Sequence, residues 1–163
     1  EMGFFAPLIF SVMLLGFLAI FGQESKVAAI NTTSAQIQSN GQSFLAYRNA
    51  VMTYQQNNPS FAGVIPVAQI TAIGGAFSSS FLGQVNNIVI ATGVGNARVV
   101  ICYAPFTQSV AEQASIAANN DASFGISNGT TWTSAAVGAS TAAMPLATPI
   151  ASGNIVSVIG FDL

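Results

Sequence analysis

GFFAPLIFSVMLLGFLAIFG, residues 3–22, holds no charged side chain. As a helix rising 1.5 Å per residue, such a stretch reaches about 30 Å, the thickness of a bilayer's hydrocarbon core. A cleavable secretory signal would open with a basic region and close on a small-residue cleavage site. This chain opens on Glu1 and leaves the apolar stretch as Gly22-Gln23-Glu24. The expectation is a chain already processed at its N-terminus, with the apolar segment retained as a membrane span. Glu1 at the positive end of that helix complements its dipole and the α-amino group. Pro7 falls in the first turns, where a missing N–H costs little.

Working outward, Gln23 to Gln56 contains no proline and one glycine, Gly41. Ile30, Ile37, Phe44 and Val51 recur every seven residues, with Gln, Asn, Ser and Thr on the opposite face. That spacing predicts an amphipathic helix whose apolar stripe must be covered by another element. Asn57-Asn58-Pro59 predicts its end, because the residue before a proline is pushed out of the α region. Residues 1–57 are therefore expected to form one helix about 80 Å long. Within it, 2–22 is the transmembrane or core part and 23–57 the amphipathic part, with Ile30, Ile37, Phe44 and Val51 packing on the head.

Residues 58–163 are expected to make an α+β head. Pro59, Gly63, Pro66, Gly74, Gly75 and Gly83 mark a turn-rich connector over 58–84. Its apolar pieces, Val64-Ile65 and Gln69 to Ile73, are expected to tuck against the helix. Asn87–Thr92 and Ala97–Tyr103 predict two strands of a hairpin around Gly93-Val94-Gly95-Asn96. Gln108–Ala118 predicts a helix, and Ser123–Ser127 and Asn154–Phe161 two more strands. Thr133–Ser152, biased to Ala, Ser, Thr and Pro, is expected to lack regular structure. The expected sheet thus has about four strands.

Only 5% of the residues are charged, against roughly 25% in an average soluble domain. Lys26, Arg48 and Arg98 form no cluster, which argues against nucleic-acid binding. Histidine is absent, which removes the usual general base and the commonest metal ligand. Cys102 is the one cysteine, so no internal disulfide can form, and its apolar neighbours point to a buried, inert thiol. Glu112 and Asp121 are expected to be solvated charges rather than a catalytic pair. Gly93-Val94-Gly95 lacks the third glycine of a dinucleotide-binding turn. Asn31-Thr32-Thr33 and Asn128-Gly129-Thr130 match the glycosylation pattern, at a frequency this Asn- and Thr-rich composition explains. Phe124 is expected in the core; Trp132 stays open between core and binding surface. These readings predict a protein that is not an enzyme and needs no cofactor and no metal.

A long greasy helix leading into a β-rich head resembles the type IV pilins. The resemblance implies a subunit held in the membrane before assembly and packed in a filament afterwards. Glu1, Phe4, Phe5, Pro7, Leu8, Phe10, Leu14, Phe17 and Phe21 would then be the assembly interface. Two features depart from that family. Phe5 stands where pilins carry a glutamate, and a C-terminal disulfide loop is impossible. Tyr47-Arg48-Asn49-Ala50-Val51, Asn58-Pro59-Ser60-Phe61-Ala62-Gly63, Val99 to Tyr103 and Pro149 to Val156 are more similar to the plasmid thin-pilus PilM family. That likeness implies an inner-membrane component of type IVb pilus assembly. The expected functions are, first, a filament subunit that polymerises with itself and with other pilus proteins. It would sit in the inner membrane before assembly and in an extracellular pilus after it. Second is a PilM-like assembly component. Third is a membrane-anchored adhesin.

Overall fold

The computed structural model describes residues 33–93, 95 and 97–161. Residues 1–36 and 37–163 separate as two compact units, and the architecture below is that of the second. Glu1, Phe4, Phe5, Pro7, Leu8, Phe10, Leu14, Phe17, Phe21 and Ile30 lie outside the described residues.

In this unit helix α1 covers residues 37–57. Phe44, Tyr47, Ala50 and Val51 turn one stripe into the core, and Ile37, Leu45 and Tyr54 flank it. The helix ends at Asn58, whose backbone N–H and side-chain amide both donate to Tyr54 O, at 3.0 and 2.9 Å. Pro59 then prevents another turn.

Two short helices, α2 (Val67–Gly74) and α3 (Ser79–Leu82), occupy the connector. Strands β1 (Asn86–Ala91) and β2 (Arg98–Ala104) form the expected hairpin. Helix α4 (Gln108–Ala117) follows, then β3 (Phe124–Ser127), β4 (Gly129–Ser134), β5 (Met144–Ile150) and β6 (Ile155–Phe161). The order across the sheet is β1-β2-β6-β3-β4-β5, and every neighbouring pair is antiparallel. The C-terminal strand β6 thus lies inside the sheet and joins the β1–β2 hairpin to β3.

The pilin-like plan of a long helix on a small sheet does not describe this protein. Six strands dominate the second unit, and they are apolar on both faces. One face packs Val89, Val100, Cys102, Phe124 and Ile155 with α1, α2 and α4. The other holds a separate core of Ile101, Trp132, Ile150 and Val156, ringed by Ile88, Val99, Tyr103, Met144 and Leu146. Residues expected to lack structure supply this difference: β5 lies wholly within 133–152, and β4 runs into it. Among the described residues no helix is long and apolar enough to cross a membrane.

The outer edge of β1 is covered by an irregular strap. Gly63 and Val89 exchange two backbone hydrogen bonds of 2.8 and 2.9 Å. Asn87, itself buried, extends the pairing with its side chain, accepting from Ile65 N at 2.8 Å and donating to Ile65 O at 3.1 Å. Gln55 Nε2 donates to Pro59 O and Phe61 O, and Arg98 donates to Ser60 O and Phe61 O. Buried amide and guanidinium groups thus hold a segment that has no ladder of its own.

Candidate interaction surface

Chemistry-bearing side chains are few and engaged. Among the described residues the charged groups are Arg48, Arg98, Glu112 and Asp121. Arg48 pairs with Asp121 at 2.8 Å, donates to Ser123 Oγ at 3.4 Å and lies 4.6 Å from the centre of the Phe124 ring. Burial works against an ionised Asp121, but the Ser123 N–H and Arg48 outweigh it and hold the carboxyl below its usual range. The reading of Asp121 as a simply solvated charge is therefore corrected. Arg98 spends its N–H groups on backbone carbonyls of Ser60, Phe61, Gly95 and Ala97. Burial pushes the Cys102 thiol up to about 12, with Arg48 offsetting only part of the effect. Among the described residues no three His, Cys, Asp or Glu side chains gather into a metal-holding group.

The distinctive surface is apolar. No charged residue occurs between Arg48 and Arg98, the stretch that carries the strap and α2. Ile70 is the buried residue of α2, and Ile65 anchors the strap beside it. Val64, Val67 and Ile73 instead face outward, Val64 at 64% exposure. Pro66, Ala68 and Ala72 are exposed between them, and Ala76 just after. The expectation that Val64 and Ile73 tuck inward is thus corrected. Strand-like alternation sends Val64 out as Ile65 goes in, and a two-turn helix offers the core little more than Ile70.

This surface is rigidly backed. A Cβ on Gly74 would stand 2.7 Å from the Ala50 Cβ and 3.0 Å from the Phe77 ring, so α2 presses its end directly onto α1. Beside Gly74, Phe77 stacks on Phe81 at 5.8 Å, and Tyr47 meets both rings edge-on at 6.1 and 6.2 Å. Aromatic packing of this kind fixes the end of α2 that abuts it.

Of the residues expected to pack under the head, Phe44 and Val51 are fully buried and Ile37 is partly buried against the same core. Phe124 is buried in the first core, and Trp132 in the second. The exposed trio Val64, Val67 and Ile73 did not stand out in the sequence reading. The signal available was the long charge-free interval combined with an apolar helix too short to bury more than one side.

A sequence-family model described as PilM matches residues 10–158. Among solved structures, a PilM protein from Escherichia coli B7A aligns with a TM-score of 0.55 at 16% identity. The alignment covers 78% of this chain and 94% of that one. At that identity the likeness is one of fold. No curated protein matches the sequence.

Proposed function

The chain belongs to the PilM family, which gives it a pilus-related role, and from that premise we propose that it is a non-enzymatic, protein-binding component of type IVb pilus assembly. The observation that carries this reading is the exposure of Val64, Val67 and Ile73 on a charge-free strap and helix α2, whose end is pinned against Ala50 and Phe77. Exposed apolar side chains gathered on one short segment are the kind of surface that protein–protein contacts use. The uncharged run 3–22 supports placing the protein at the inner membrane during assembly.

The test is a double variant, Val67→Asp with Ile73→Asp, expressed in place of the native chain. Both side chains are exposed, so the thermal midpoint should stay within a few degrees. Piliation, scored by electron microscopy of sheared material, should fall sharply. Normal piliation with a folded variant would remove the surface from the proposal. The same preparation separates the filament-subunit alternative: a subunit would be the bulk polypeptide of sheared pili, whereas an assembly component stays with the membrane fraction.

A further inference from the structure

A second surface lies at the C-terminal end of α4. Ile116, on its last turn, is 53% exposed, and Val137 is 75% exposed. Val137 is not on a loose tip. Asn120 grips its backbone from both sides, donating to Val137 O and accepting from Val137 N, each at 2.8 Å. Asn119 and Asn120 both adopt left-handed backbone, with φ of 59° and 61°. Ser115 Oγ, fully buried, donates to Asp121 O at 2.9 Å and ties the chain down just beyond them. Side-chain hydrogen bonds thus fix the backbone of a residue whose apolar side chain is exposed.

The charge pattern says what fits there. Glu112 lies one turn before Ile116 on α4, and i,i+4 residues share a helix face. Its carboxylate accepts from Gln108 Nε2 at 2.8 Å. Among the described residues it is the charged group with neither an ionic partner nor a set of backbone partners. Arg48 is committed to Asp121, and Arg98 to carbonyls. Both arginines are buried, so neither is free to meet Glu112 from a second copy.

We propose that Ile116 and Val137 form a knob, with Glu112 at its rim, that docks into an apolar socket flanked by Lys or Arg on a different protein. This deepens the assembly role proposed above and rests on it. A rim charge of this kind steers encounter and fixes register, while the buried apolar pair supplies the contact.

The experiment places a photo-cross-linking amino acid at Ala117, exposed beside Ile116, in the full chain in membranes of piliated cells; Val64 is the comparison position. The expected result is an adduct with one other protein whose linked peptide carries Lys or Arg. Val137→Asp and Ile116→Asp should abolish it at an unchanged unfolding midpoint. Glu112→Gln, which keeps the side chain's shape, should lower the yield about two- to fivefold, as loss of an exposed ion pair does. An adduct with a second copy overturns the proposal. So does a linked peptide without a basic residue, an adduct indifferent to all three changes, or labelling at Val64 with none at Ala117. Failure of the assembly reading shows differently: a strain lacking the chain would still be piliated, while cells that carry the chain would still give the adduct.

Discussion

Arg48 Nη1 stands 2.8 Å from Asp121 Oδ2, joining α1 to the turn between α4 and β3 across 73 residues of sequence. Phe124 lies under the guanidinium, and Ser123 accepts a further bond from it. The cation is buried, whereas Asp121 keeps about a third of its side chain in solvent. Removing either partner leaves the other inside the fold with its charge uncompensated. Arg48→Met, which retains the packing against Phe124, should still destabilise by about 2–3 kcal/mol in urea unfolding.

The same pair sets an acid limit. The folded carboxyl of Asp121 lies below its unfolded value, so its contribution is present above the unfolded pKa and is lost as pH falls through the folded one. The stability gap between the native chain and Asp121→Asn should therefore be full at pH 6 and close progressively below about pH 4. A gap that stays constant from pH 6 to pH 2 would show that the ion pair contributes nothing.

Alkali should act through Cys102 and Tyr47. Burial pushes both up to about 12, the bond from Asn87 offsetting part of the effect on Tyr47. Their neutral forms stabilise the fold below the unfolded pKa values, about 8.5 and 10, and that advantage is lost as pH rises toward the folded ones. Thermal midpoints should fall between about pH 9 and 12, and Cys102→Ala should flatten the first part of the decline. The native thiol should also resist alkylating reagents until the protein unfolds.

Asn87 Nδ2 donates to Tyr47 Oη at 2.9 Å while the same side chain pairs with both backbone groups of Ile65. Asn87→Ala would leave that buried amide and carbonyl unmet, costing about 2–3 kcal/mol. Tyr47→Phe removes one neutral hydrogen bond and should cost about 1 kcal/mol. Equal effects of the two changes in denaturant titrations would contradict the view that the strap is held chiefly through Ile65.

What could be foreseen divides along physical lines. The stripe through Ile37, Phe44 and Val51, the β1–β2 hairpin, α4 and the C-terminal strand announce themselves through local periodicity and turn residues. Strand β5 does not, because Pro145 and Pro149 break the pattern that Met144, Leu146, Thr148 and Ile150 keep. Its neighbour β4 has Trp132 as its single large apolar residue, and that residue becomes informative only beside Ile101 and Val156. The second sheet face is a product of non-local pairing, so no window of sequence contains it. The exposed knob is equally hidden: Asn120 and Val137 are joined by hydrogen bonds between segments that share no local pattern.

The prolines that obscure β5 have a use once the strand is placed. β5 is an edge strand, paired on one side with β4, and an open edge invites pairing with another chain. A proline offers no N–H to a partner strand, and Pro145 and Pro149 are both exposed along that edge. The opposite edge needs no such device, because Gly63 and Asn87 close it with the strap. Replacing both prolines with threonine restores two donors and raises strand propensity without touching either core. That variant should keep the native circular dichroism spectrum but self-associate at concentrations where the parent does not, with light scattering rising over hours. A variant no more associative than its parent would mean that the shape of the edge, rather than its missing donors, keeps neighbouring chains away.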